Sequence, residues 1–288
     1  MRTTSVKERT VQFGSGARLV GIATEPAVQV EGKPAVILLN AGLLHRVGPN
    51  RMSVDLARRF APEGLMSLRF DFSGIGDSRT RAEGLPFLES SVHETREAMD
   101  LLESTFGTRR FVLLGLCSGG TVAFLTARDD PRVEGAVLVN VSGHLHGNDP
   151  QLGTYLRHRS MRRHYFRIAT SASFASKTWR KAIATHVDYA GLVRSIMAYR
   201  PRPRGPQGEV ASDLRRLQER GVSLLHVYSE GDEGLDYAHV VFGGRLDRLG
   251  SAPRSRLELI AGANHTLTLR WAQNYLGDLI LEWLRSWA

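Results

Sequence analysis

Cysteine is almost missing from this chain of 288 residues, which has a single one, Cys117. That excludes an internal disulfide framework and a multi-cysteine zinc site. Long apolar runs are missing too: none approaches the roughly 18 residues that a membrane-spanning helix needs. The opening segment, MRTTSVKERTVQFGSG, has no apolar core of the kind a secretory signal carries, so a cytoplasmic location is expected. Lysine is scarce, with 4 against 34 arginines. What remains, 42% hydrophobic and 23% charged, is the composition of an ordinary globule, long enough for one large α/β domain with an insertion.

The positive charge is local. The chain has 38 Lys and Arg against 29 Asp and Glu, and residues 145–210 alone hold 12 against 3. That segment accounts for the whole excess, and the remainder of the chain is balanced.

The hydrophobic pattern outside that segment alternates strand with helix. RTVQF and ARLVGIAT, with Gly-Ser-Gly between them, read as a hairpin. AVILL, LMSLRFDF, FVLLG and GAVLVNVSG are further strand candidates; SVDLARRFAP, SSVHETREAMDLLEST and GTVAFLTA have helical spacing, with Ser53 placed to cap the first. After Gly143 the rhythm stops for about 65 residues and resumes beyond a Pro/Gly-rich stretch, YRPRPRGPQG. SDLRRLQERG, DYAHVVFGGRLDRLG and LRWAQNYLGDLILEWLRSW then read as helices, and VSLLHVYS and SRLELIAG as strands. Eight strands alternating with helices predict a mostly parallel α/β sheet covered on both faces. The core is expected over 1–144 and 211–288, with 145–210 a basic helical lid over the carboxyl edge of the sheet.

Chemistry concentrates where FVLLG turns into GTVAFLTA. Gly115-Leu116-Cys117-Ser118-Gly119 has a nucleophile spaced two residues from each of two glycines, as a sharp strand-to-helix turn requires. The helix starting there would favour a thiolate and an oxyanion through its dipole. Ser118 competes as nucleophile but lies one place off the pattern. Most of the ten histidines have ordinary settings: His158, His164 and His186 in the basic segment, His93 and His239 on helix faces, His226 inside a strand. His265 differs, lying in a loop of small residues, AGANHTL, between the last strand and last helix, where it could serve as base. The acid is expected in EGDEGLD after the penultimate strand, as Asp232, with Asp236 and Glu230 as alternatives. The expected oxyanion donors are the Ser118 N–H and, in the loop NAGLLHRVGPNR, that of Gly42 or Leu43.

Arg46-Val47-Gly48 with Arg51, then RFDFSGIGDS, GLCSGG, YSEGD and ANHT, together resemble the α/β-hydrolase superfamily over essentially the whole chain. More narrowly the chain resembles the serine aminopeptidase-like branch and the exosortase-associated hydrolases, which share the cysteine elbow. The resemblance implies covalent acyl transfer with neither metal nor organic cofactor, and Arg46 and Arg51 as substrate-contacting residues. RFDFSGIGDS matches a loop that braces the sheet, so Asp71 and Asp77 are not expected to be catalytic.

A cysteine nucleophile suits acyl groups that arrive as thioesters, because thioester exchange is nearly thermoneutral. The expected reaction is thioesterase or acyltransferase chemistry on acyl groups carried by coenzyme A or by an acyl or peptidyl carrier protein. Such donors are anionic or acidic and could be steered by the basic segment. No nucleic-acid motif accompanies that segment. Esterase or lactonase action of the dienelactone-hydrolase type is a second reading, and a binding protein with an inert elbow a third.

Overall fold

The computed structural model describes residues 6–28, 30, 32–81, 84–142, 209–242, 245–250 and 255–287. The expected lid at 145–210 lies outside the described residues apart from its last two, as do His158, His164 and His186.

Strands β1 (Lys7–Phe13), β2 (Leu19–Glu25), β3 (Ala35–Leu39), β4 (Ser67–Phe70), β5 (Phe111–Leu116), β6 (Val133–Val139), β7 (Ser223–Ser229) and β8 (Arg256–Ile260) form one sheet in the order β1-β2-β4-β3-β5-β6-β7-β8. β2 runs antiparallel to β1 and to β4, and the other pairings are parallel. Among the described residues the helices are α1 (Met52–Phe60), α2 (Phe87–Phe106), α3 (Ser118–Asp129), α4 (Glu209–Glu219), α5 (Glu233–Val241) and α6 (Arg270–Arg285).

The apolar runs in the central strands are continuous because both sides of each strand are covered. In β3, Ala35, Ile37 and Leu39 enter a core shared with Ala98, Met99 and Leu102 of α2 and with Val122, Ala123 and Phe124 of α3. The intervening Val36 and Leu38 enter a second core with Leu56, Ala57 and Phe60 of α1 and Leu276, Leu279 and Ile280 of α6. Phe111 and Leu113 of β5 repeat the split against Val112, Leu114 and Leu116. The period of two thus sorts one run of sequence into two layers.

The topology also sets where a ligand can bind. β3 lies between β4 and β5, and the chain leaves β3 toward one edge and β5 toward the other. The loops after these strands diverge and leave a crevice at their carboxyl ends. Cys117 follows β5 and Gly42 follows β3, so both border that crevice.

Two local expectations need correction. Ser53 does not cap α1; it is buried inside the first turn, its N–H donated to the Val47 carbonyl, and the helix is entered from a short 3-10 turn at Pro49–Arg51. The helix expected over DYAHVVFGGRLDRLG starts earlier, at Glu233, and stops at Val241, with a separate 3-10 turn at Leu246–Gly250. The early start has a cause: the Asp232 carboxylate accepts the Gly234 N–H at 2.8 Å and so caps α5.

Candidate active site

Cys117 sits between the last residue of β5 and the first of α3 with φ 55° and ψ −120°. This is a strained conformation for a residue with a side chain, and it leaves Cys117 half-buried at the edge of the second core, where Leu114 and Leu116 are fully covered. The surrounding glycines make the turn possible. A Cβ on Gly115 would collide with the backbone of Gly119, and one on Gly119 would lie 2.5 Å from the Asn40 carbonyl oxygen. The elbow is therefore held by backbone packed on backbone, with the Cys117 N–H donated to the Val139 carbonyl at 2.9 Å.

His265 lies in the loop after β8, and its Nδ1 is 2.7 Å from Asp232 Oδ2. A carboxylate accepts, so Nδ1 carries the proton and Nε2 is left for the thiol. The hydrogen bond to Asp232, then the one to Cys117, raises the His265 pKa to about 10. The Cys117 pKa is lowered, first by its hydrogen bond with His265, against desolvation, and further by the imidazolium charge and the Ser118 N–H. Thiol and imidazole thus favour the thiolate–imidazolium pair. The Asp232 side chain is only 1% exposed, whereas that of His265 is 46% exposed.

The other expected acids lie elsewhere. Glu230 accepts the Gly262 N–H at 3.1 Å, and Asp236 sits one turn into α5 with its N–H donated to the Asp232 carbonyl. His226 is fully buried in β7, where desolvation lowers its pKa to about 4 and keeps it neutral. His93 lies on α2 and His239 on α5.

On the opposite side of the crevice, Asn40 pins the loop after β3. Its Oδ1 accepts the Phe72 N–H at 3.0 Å and its Nδ2 donates to the Leu44 carbonyl at 2.8 Å. Gly42, at φ 56°, donates its N–H to Ser118 Oγ at 2.8 Å, while the Leu43 side chain is exposed. The Arg46 guanidinium is engaged by the buried Asp71 and by Asp77, and its N–H reaches Asp71 Oδ1 at 2.5 Å. Arg51 is exposed at the start of α1 with φ 64°.

One group escaped the sequence reading. Asn140, just past β6 and left-handed at φ 50°, donates from Nδ2 to Ser229 Oγ at 2.9 Å and to the His265 carbonyl at 2.8 Å. Its Oδ1 accepts the Ser229 N–H at 2.7 Å, and Ser229 Oγ donates to the Asn264 carbonyl at 2.9 Å. Asn140 and Ser229 thereby fix the backbone from which His265 projects. The one local signal was an asparagine ending an apolar strand, since asparagine tolerates the left-handed region.

Among the described residues no cluster of His, Cys, Asp or Glu could hold a metal ion, and no helix is long and apolar enough to cross a membrane.

This sheet order, with a strained strand-to-helix turn after β5, is that of an enzyme of the α/β-hydrolase type. The sequence profile described as serine aminopeptidase, S33, matches residues 34–184, and the chain belongs to that family. No curated protein matches the chain in sequence. Among solved structures it is similar to an esterase of Pyrococcus furiosus, at 14% identity over 98% of this chain and 91% of that one, with a TM-score of 0.59. A dienelactone hydrolase of Anabaena variabilis is similar at 16% identity over 98% of each chain, with a TM-score of 0.59. A proline iminopeptidase of Mycobacterium smegmatis is similar at 18% identity over 98% of this chain and all of that one, with a TM-score of 0.55. At such identities the likeness is one of fold. The family is named for serine, yet the elbow position of this chain holds Cys117.

Proposed function

We propose that the protein is an acyl-transferring enzyme that uses Cys117, His265 and Asp232 through a covalent acyl-thioester intermediate. The observation that carries this reading is the position of a lowered-pKa thiol on a strained elbow, against an imidazole that a buried carboxylate orients. The thiolate sulfur adds to the acyl carbonyl carbon, and the carbonyl electron pair moves to oxygen. When that pair returns, the bond to the leaving group breaks, and the departing thiolate takes the proton of the His265 imidazolium. In the second half-reaction His265 takes a proton from water, an amine or an alcohol, whose oxygen or nitrogen displaces the Cys117 sulfur.

The nucleophile argues for thioester donors. Exchange of one thioester for another costs almost nothing, whereas an oxoester would have to be converted uphill into a thioester. The basic segment at 145–210, all but its last two residues outside the described ones, supports an anionic coenzyme A or an acidic carrier protein as the vehicle. Incubation with an activated acyl thioester should add one acyl mass to the wild type at Cys117 and none to Cys117→Ala. Labelling that persists in Cys117→Ala would refute the assignment, and product analysis with and without added amine or alcohol separates thioesterase from acyltransferase.

A second reading is hydrolysis of carboxylic esters or lactones. It is favoured by fold neighbours that include an esterase and a dienelactone hydrolase. Turnover of p-nitrophenyl esters faster than of matched thioesters would select it.

A further inference from the structure

The elbow and the loop after β3 are joined by one hydrogen bond that the acyl-transfer reading did not anticipate. The N–H of Gly42 or Leu43 was expected to point directly at a substrate oxygen, but that of Gly42 is given to Ser118 Oγ, 2.8 Å away. The left-handed conformation of Gly42 (φ 56°) turns the amide toward the elbow, and nothing lies within 4 Å of where a Cβ would stand. A hydroxyl has one proton to donate and two lone pairs with which to accept. With the Gly42 N–H filling one lone pair, the Ser118 hydroxyl keeps its own proton to give away, and an accepting hydroxyl is polarised into a better donor.

Ser118 also adjoins Cys117 in the chain. It is the first residue of α3, at the positive end of the helix dipole. Its backbone N–H contributes to lowering the Cys117 pKa. The residue is half-buried.

We propose that the Ser118 hydroxyl is a catalytic residue. It accepts the Gly42 N–H and donates its own hydrogen bond to the acyl oxygen that becomes negative when Cys117 attacks. The two expected oxyanion donors then converge on one residue, the Ser118 N–H acting directly and the Gly42 N–H through Ser118 Oγ. The hydroxyl proton stays on Ser118 throughout, so the proton balance of the acylation step is unchanged. The inference rests on the acyl-transfer reading and adds a residue to it. It also gives Ser118, one place off the nucleophile position, a use for its hydroxyl other than attack.

The opposite possibility is that Ser118 Oγ merely occupies the place of the substrate oxygen and must move aside. Stopped-flow acylation of the wild type, Ser118→Ala and Ser118→Thr separates the two, with p-nitrophenyl acetate and an acetyl thioester as donors. The relay requires Ser118→Ala to acylate about 10²-fold more slowly, the loss typical of one oxyanion donor. Iodoacetamide alkylation of Cys117 should stay within about twofold of wild type, because the backbone N–H that supports the thiolate remains. Ser118→Thr keeps the hydroxyl and should recover most of the rate. Acylation of Ser118→Ala at or above the wild-type rate overturns the relay while leaving the acyl-transfer reading intact. A wild type that neither donor acylates overturns the acyl-transfer reading, and the relay with it.

Discussion

Asp232 reaches His265 with Oδ2 while its other oxygen, Oδ1, caps α5 through the Gly234 N–H. The two oxygens therefore do different work, and Asp232→Asn separates them. An amide oxygen can still cap the helix, so thermal unfolding should move by only a few degrees. The charge that orients and stabilises the imidazolium is lost, and kcat should fall by about 10²–10⁴-fold. Circular dichroism melts and steady-state rates on one preparation check both halves. A variant that unfolds early but turns over normally would assign Asp232 to the helix alone.

The same pair sets a pH window. The Cys117 pKa is lowered, so the thiolate persists as pH falls below the ordinary thiol value of about 8.5. The His265 pKa is raised to about 10, so the imidazolium persists as pH rises to that value. Acylation that needs both charges should be level between these limits, fall on the acid side as the thiolate protonates, and fall on the alkaline side near 10. Between pH 6 and 8 iodoacetamide should alkylate Cys117 faster than it alkylates an ordinary thiol, because the lowered pKa leaves more of it as thiolate there. A rate climbing tenfold per pH unit over that range would mean an unactivated thiol.

Asn140 acts at one remove, through the His265 carbonyl and the two hydrogen bonds with Ser229. Asn140→Ala leaves the buried Ser229 N–H without its acceptor, which should cost about 1–3 kcal/mol. Alanine also tolerates the left-handed φ of 50° poorly. Asn140→Gly loses the same side chain but not the conformation, and should be more stable than Asn140→Ala by about 1 kcal/mol. If Asn140 positions His265, both variants lower kcat more than they change KM, and both shift the alkaline limb of the pH profile. Urea unfolding alongside pH–rate profiles tests this; loss of stability with an unmoved profile would make Asn140 purely structural.

Much of the fold was legible because it is written locally. Eight apolar runs of strand length, separated by helical spacing, are enough to predict a covered parallel sheet, and the elbow glycines announce a strand-to-helix turn. Choices among neighbours were less legible. Asp232, Asp236 and Glu230 lie within seven residues of one another, and only the turn into α5 decides which carboxylate meets His265. The start of α1 was misjudged because a 3-10 turn at Pro49–Arg51 made a serine cap unnecessary. The contacts of Ser118 with Gly42 and of Asn140 with His265 span 76 and 125 residues, and no local pattern reports a pairing across such distances.

Arg46 shows how a residue picked out by resemblance is placed by its partners. Its guanidinium joins Asp71, whose side chain is fully buried, to the exposed Asp77, and its backbone N–H adds a third link to Asp71. Asp71 also accepts the Asp77 N–H at 3.1 Å, so one carboxylate ties the loop after β3 to the loop after β4. Removing the arginine strands a buried charge, which typically costs about 3–5 kcal/mol. Arg46→Ala should therefore lower the urea midpoint substantially, and Arg46→Lys, which keeps the charge but loses the planar fork, should fall between. A residue that only contacted substrate would behave otherwise, raising KM while the unfolding midpoint stayed at the wild-type value. The brace predicts the reverse order of effects: stability is lost first, and activity follows because the loop carrying Gly42 is no longer held against the elbow.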